Sequence, residues 1–423
     1  MKKILHLGLL LILLLSACDN KDEIAPGERP DERLNQTLSD YKNQLVGAEN
    51  GWKAILYPAG GAAYSFFIKF NANDRLSMAS DINANTAATP LESTYRLKAM
   101  QQPALIFDTY NYMHILADPD PRQSNGDVGA GKYSDFEFSF ESVTPETITL
   151  KGNLQGSRLV LTKATKDGAD NFISRIAESV KTFESINNFT TYFKRLLIAN
   201  QTFDFSADTN LRQITITYSE GGTTKSFTTE YYYTEAGIEF LTPFAVGSTN
   251  ITGLSAMQYN ASNKTIQFTV NNVAGTIRES TSPAAVDLQA ARRFYNNPPN
   301  GVYWVNFTGF TVEGVEDAFG VNNINGFEII TFYKQPDPPY DGFIFWTADD
   351  FFGPAIRTQF RNDGRIVFAY DGAEFGTPPA AAEAVVDATR AQLIIPEGYY
   401  VIQVGPNSYD LVSAKDAKTW ISF

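Results

Sequence analysis

The chain has 423 residues, 43% of them hydrophobic, 13% aromatic and 19% charged, with one Cys, two His and a formal charge of −13. That length holds two or three domains with well-filled cores, and the aromatic content excludes a disordered chain. One Cys excludes a disulfide framework and multi-cysteine metal sites; two His exclude a His-rich zinc enzyme; the acidic balance argues against nucleic acid as a partner.

The chain opens on a positive pair, Lys2 and Lys3, followed by an almost wholly apolar run over 4–15. That run is too short to span a bilayer as a helix and reads as the middle of a signal peptide. It ends in Leu15-Ser16-Ala17-Cys18, which fits the bacterial lipobox. The pattern predicts cleavage after residue 17 and Cys18 as the acylated first residue of the mature protein. Loss of residues 1–17 removes Lys2 and Lys3 and takes the formal charge to −15. Residues 18–33 read as a tether, charged over Asp19-Asn20-Lys21-Asp22-Glu23 and broken by Pro26, Gly27 and Pro30. A lysine followed by two acids here resembles the signal that sends lipoproteins of Bacteroidota to the outer face of the outer membrane. The expected address is therefore the outer membrane, held by lipid and facing the cell exterior.

Apolar residues at 34, 38, 41 and 45 form one stripe of an amphipathic helix. The period then shortens. Strands are expected over 62–70, 75–80, 95–100 and 105–114, and Phe136, Phe138 and Phe140 alternate with polar residues as in a half-buried strand. Residues 148–150 and 158–162 complete a meander, so 34–165 reads as a helix plus an antiparallel β lobe. Helical spacing returns at Phe172, Ile176, Val180, Phe183 and Ile186 and repeats at Phe189, Phe193, Leu196 and Leu197, as one helix or two short ones broken at Asn187-Asn188, which marks 166–200 as a helical spacer. Strands at 214–218, 226–233 and 265–270 place a second β lobe over 201–284, either separate or one domain with the first. A third helix is expected at 285–295, and Pro298-Pro299-Asn300-Gly301 breaks it. Strands then recur to the end, so 285–423 reads as a C-terminal helix plus β lobe. Asn50-Gly51-Trp52 and Asn300-Gly301-Val302-Tyr303 share a helix, Gly-aromatic, strand order that suggests a distant repeat. The expected fold class is mainly β with helical spacers (α+β), in antiparallel barrel- or sandwich-like lobes.

Most catalytic constellations fail on inspection. Residues 126–132 fit a P-loop, but Tyr133 stands where a magnesium-holding Ser or Thr belongs, and a strand rather than a helix is expected next. Asp118, Asp120 and Asp127 lack the Gly and Glu that a calcium loop needs at its sixth and twelfth positions. His6 leaves with the signal peptide, so a Ser-His-Asp mechanism would rest on His114 alone. No metal or cofactor is expected. Two carboxylates suffice for glycoside hydrolysis, and Asp337, Asp341, Asp349 and Asp350 cluster among Tyr340, Trp346, Phe351 and Phe352. The same mixture of rings and acids also describes a non-catalytic sugar site, with Tyr340, Trp346, Asp349 and Asp350 as its candidate ligands. Core packing is the ordinary alternative for such aromatics.

Three stretches resemble a family of Bacteroidota lipoproteins catalogued as domain of unknown function 4302. They are residues 45–54 (Leu45 to Ala54, with Gly51-Trp52), the run from Ser93-Thr94-Tyr95 through Asp108-Thr109-Tyr110 to Asp118-Pro119, and Ser134-Asp135-Phe136 together with Gly156-Ser157-Arg158. The resemblance assigns no catalytic or binding residue. It implies a cell-surface lipoprotein associated with outer-membrane nutrient uptake, with a transporter or a glycan as partner. The expected function is accordingly a non-enzymatic binding or accessory role in glycan uptake; a carboxylate-dependent glycosidase and an adhesin or protein-interaction module are the alternatives.

Overall fold

The computed structural model describes residues 30–247, 249–335 and 340–423. The stretch read as a signal peptide, Cys18, Asp337 and most of the stretch read as a tether lie outside them. The first helix begins at Pro30, inside the stretch read as tether, and runs to Val46.

Eight antiparallel strands, from Trp52–Tyr57 to Arg158–Lys163, close into the first barrel, the last pairing with the first from Trp52↔Lys163 to Tyr57↔Arg158. Alternation decides what fills it. Trp52, Ala54 and Leu56 point inward from the first strand, Phe66, Ile68 and Phe70 from the second, and Phe138, Phe140, Ile148 and Leu150 from later ones. Eight strands leave an interior just wide enough for such side chains. The helix Pro30–Val46 lies across one end: Tyr41 packs on Phe140 with ring centroids 4.3 Å apart, and Lys42 pairs with Asp74 at 2.6 Å.

The second barrel is built alike, its first strand Phe193–Ile198 pairing with both Gln201–Asp208 and Val273–Ser280. That strand corrects the helical reading of 166–200. The helix stops at Glu184, a short 3-10 turn covers Ser185–Asn188, and Leu196 and Ile198 then point inward with the period of a strand. Helix Lys166–Glu184 buries Phe172, Ile176, Val180 and Phe183 against the barrel, and Phe183 packs edge-on to Tyr231 and Tyr233 inside it. Strands Gly237–Val246 and Thr249–Asn260 complete the barrel beyond the strands that the sequence pattern predicts.

The C-terminal lobe is a nine-stranded sheet whose end strands, Tyr303–Asn306 and Thr311–Val312, are consecutive in the chain. Residues 307–310 join them. Gly309 turns the corner at φ +65°, and Asn306 holds it, donating to Ser422 O at 2.9 Å and accepting from Gly309 N–H at 2.6 Å. Strand Ile366–Phe375 meets Tyr399–Gly405 only at Ile366↔Tyr399, and helix Glu383–Leu393 fills that gap with Val386 and Leu393. The third helix is shorter than read, Ala290–Asn296.

The repeat has a physical counterpart. Gly51 and Gly301 both sit at φ +77°, and each donates its N–H three residues back at 2.8 Å. Trp52 Nε1 then donates to Leu45 O at 2.9 Å and Trp304 Nε1 to Phe294 O at 2.7 Å. The equivalent ring is thus Trp304, one residue past the Tyr303 that the sequence comparison aligns. All three units carry apolar residues inside and polar ones outside, the reverse of a membrane-spanning barrel. No helix among the described residues is long and apolar enough to cross a membrane.

Candidate functional site

Strands Asp341–Thr347 and Phe351–Phe360 form a hairpin on the C-terminal lobe, with Ala348, Asp349 and Asp350 at its tip. The local sequence closes that tip. Thr347 N–H donates to Asp350 O at 2.9 Å, Asp350 N–H returns to Thr347 Oγ1 at 3.1 Å, and Phe351 N–H donates to the Asp350 carboxylate at 2.7 Å. Asp350 is therefore spent partly on its own turn, the usual use of such a side chain.

Alternation buries Phe345 and Phe352 in the core and sends their neighbours Trp346 and Phe351 outward. These two are directly opposed across the strands, 5.2 Å apart and 33° from parallel. Trp346 is 37% exposed and Phe351 43%. The indole is fixed in place because its Nε1 donates to Thr331 Oγ1 on the neighbouring strand at 2.9 Å. Asp349 is exposed at the tip, with no hydrogen-bond or ion-pair partner among the described residues. Two open rings, one of them held by a hydrogen bond, beside a free carboxylate can stack on an apolar face and accept a hydrogen bond, the combination that fixes a small polar ligand.

Tyr340 does not join them. It precedes the hairpin's first strand while Asp349 follows it, so the strand itself separates them by about 20 Å. Its hydroxyl donates to Asp371 Oδ2 at 3.0 Å, and Arg357 lies over its ring at 4.7 Å while pairing with Asp371 at 2.7 Å. Asp341 is buried and accepts from Tyr295, at 3.1 Å, and from Thr358, at 2.6 Å, a structural use. Of the four candidate ligands the structure brings together Trp346, Asp349 and Asp350, and adds Phe351.

The other constellations are absorbed by the fold. Residues 126–132 form a loop bridged at Asp127↔Gly131, and the strand Glu137–Val143 follows. Asp120 caps a short helix and pairs with Arg122, Asp118 accepts from Tyr110, and Asp127 accepts from Tyr133. No group of three or more His, Cys, Asp or Glu among the described residues could hold a metal ion.

His114 lies in a helix, Tyr112–Ala117, and not at the end of a strand, because Asn111 caps that helix and breaks the strand at Phe107. Its ring is stacked between Tyr110 and Phe136, with centroids at 5.5 and 4.4 Å. Burial lowers its pKa. These rings occupy one another's faces.

One cluster has no sequence signal at all. Arg212 of the second barrel is 3% exposed and reaches into the first, where Nη1 donates to Ala63 O at 2.8 Å and to Asp81 Oδ2 at 2.9 Å, and Nη2 donates to Asp81 O. Its backbone is left-handed, φ +53°, an unfavourable conformation for a residue with a Cβ. Burial and Asp81 act on it in opposite directions, and Asp81 wins, raising its pKa. Each partner sits in a turn, and only the docking of two barrels more than a hundred residues apart makes them a pair.

In class, the first two units are closed eight-stranded antiparallel barrels, joined through a buried ion pair. Residues 25–261 match the family described as Domain of unknown function (DUF4302), and the chain belongs to that family. The match covers the first barrel and six strands of the second; the ring pair of the C-terminal lobe lies beyond it. No curated protein matches the chain.

Proposed function

We propose that the protein is a lipid-anchored lipoprotein of the outer-membrane surface that binds glycans for a nutrient-uptake system. The observation that carries the binding role is the Trp346–Phe351 pair: two partly exposed rings, one locked by a hydrogen bond to Thr331, with a free carboxylate beside them. Solvent-facing rings of this kind offer an apolar face to a sugar ring at little cost in ordering, since the side chain is already held. The anchor rests on Lys2-Lys3, the apolar run and Leu15-Ser16-Ala17-Cys18.

The binding test is affinity electrophoresis of the full chain through gels containing neutral polysaccharides. Retardation by at least one is expected, together with its loss in Trp346→Ala at an unchanged melting temperature. Hydrolysis of the same polysaccharides, lost on Asp349→Ala or Asp350→Ala, would replace this role with that of a glycosidase. Capture of a transporter with no glycan retardation would replace it with a protein-interaction role. Cys18→Ser should abolish fatty-acid labelling in cells, and continued labelling would sink the anchor.

A further inference from the structure

The strands under the ring pair carry free charge of one sign. Two of the strands beneath it, Phe327–Tyr333 and Asp341–Thr347, hold no Lys, Arg or His, and neither does the adjoining part of the third, 351–356. Lys334 and Arg357 stand at the far end of these strands. There Lys334 is held by Asn296 and the Tyr295 ring, and Arg357 by Asp371 and the Tyr340 ring. The near end holds three carboxylates. Asp349 and Asp350 form the hairpin tip. Glu328 is exposed at the bulge between the pairs Phe327↔Thr347 and Ile329↔Trp346, beside the indole. Neither Glu328 nor Asp349 has a hydrogen-bond or ion-pair partner among the described residues, so their charge faces whatever the rings hold.

An arginine or lysine within reach would be needed to neutralise a bound uronate or sulfate. These three strands offer none beside the rings, and Arg390, which reaches the next strand, is already paired with Glu374 at 2.7 Å. We infer that the platform selects glycans without acidic groups and holds most tightly those bearing a free amine, which Asp349 and Glu328 would pair. This rests on the glycan-binding reading above and specifies its ligand class. Two exposed carboxylates several ångströms from a bound cation, in water, together favour it by about fivefold at low salt, and that preference fades when the Debye length shrinks to a few ångströms.

The test uses the full chain and three hexasaccharides of similar size: glucosamine, N-acetylglucosamine and galacturonic acid, titrated at pH 6 by calorimetry. The glucosamine hexamer should bind about fivefold more tightly than its acetylated counterpart at 20 mM salt and about equally at 1 M, with the galacturonate hexamer weakest. The double substitution Asp349→Asn, Glu328→Gln should remove the preference and leave binding of the acetylated hexamer intact, whereas Trp346→Ala should weaken both. Three equal affinities, all lost in Trp346→Ala, would overturn the selectivity and leave the glycan reading standing. So would a preference that survives the double substitution. Failure of all three hexamers to bind at millimolar concentration, or binding indifferent to Trp346→Ala, would remove the glycan reading and this inference with it.

Discussion

Two Arg–Asp pairs stand at the two junctions of this molecule, and they are built to different standards. At the seam between the barrels, Arg212 meets Asp81 at 2.9 Å, and both carboxylate oxygens are satisfied. Ser65 N–H donates to Oδ1 at 3.0 Å and Tyr233 N–H to Oδ2 at 3.2 Å, while the Tyr64 ring lies 4.1 Å from the guanidinium. Ser65 Oγ also donates to Tyr233 O at 2.6 Å, so main chain from both barrels meets around the pair. Where the second barrel leads into the C-terminal lobe, Arg195 Nε and Asp204 Oδ1 are 3.5 Å apart, and neither atom makes a hydrogen bond. There the lobe is held instead by apolar contacts, with Tyr192 and Phe193 packed among Tyr400, Val412 and Trp420. A buried ion pair is tolerable only when every donor and acceptor is used. The first junction meets that condition and fixes one orientation of its barrels; the second relies on surface that many orientations could bury.

The sharpest way to break this contrast is Arg212→Ala. It leaves Asp81 buried with its neighbours aimed at a vanished cation, and removal of one partner from such a pair costs about 3–5 kcal/mol. Chemical denaturation should show that loss, and the double variant Arg212→Ala, Asp81→Ala should recover part of it. A loss below 1 kcal/mol would mean the seam is wetter than its geometry indicates.

Legibility in the sequence follows the same division between local and distant interactions. The helix over 34–46 and the alternation of Phe138 and Phe140 are local patterns and stand as read, whereas Phe136, read with them, lies exposed just before the strand Glu137–Val143. The strand at Phe193–Ile198 is hidden because Phe193, Leu196 and Leu197 fall at helical spacing, while only Leu196 and Ile198 keep the period of a strand, and closure of the barrel decides between them. Helix Glu383–Leu393 was missed because a run of alanines precedes it and few of its residues are buried. In the candidate site, Trp346, Asp349 and Asp350 are neighbours in the chain and stay neighbours in space, whereas Tyr340 was grouped with them by proximity in sequence and separated by the length of a strand. Arg212 and Asp81 carry no local signature, since nothing near either one specifies the other.

A middle-sized effect should come from the looser pair. Burial raises the Asp204 carboxyl to about 6, against the opposing pull of the Ala284 N–H and then Arg195. In the unfolded chain an Asp titrates near 4. Because the folded value is the higher one, the folded state binds the proton more tightly. The resulting stabilisation is therefore complete below about pH 4 and is lost as pH rises through 6. A shift of this size corresponds to about 2–3 kcal/mol. Melting temperatures of the wild type and Asp204→Asn, compared from pH 4 to 8, should diverge in favour of the variant as pH rises. Parallel curves would show that Asp204 is ionised at little cost and that the second pair is as well made as the first.

The smallest effect belongs to the apolar junction. Tyr192 is half-buried there, its hydroxyl donating to Asp410 Oδ2 at 2.7 Å and its N–H to Ala417 O at 2.7 Å. Burial first, then Asp410, pushes its hydroxyl well above the ordinary tyrosine range, so it stays a donor at any physiological pH. Tyr192→Phe keeps the ring among Phe193 and Trp420 and keeps the main-chain bond, and removes one hydrogen bond to a carboxylate. Asp410 is half-exposed, so water replaces the lost donor and the cost should fall near 1 kcal/mol. Tyr192→Ala removes the ring as well and should cost several times more, about 3–5 kcal/mol. That ratio is the measurement that matters: a junction held by packing loses little with the hydroxyl and much with the ring. Were Tyr192→Phe as damaging as Tyr192→Ala, the junction would be held by its polar contact after all, and the contrast between the two seams would disappear.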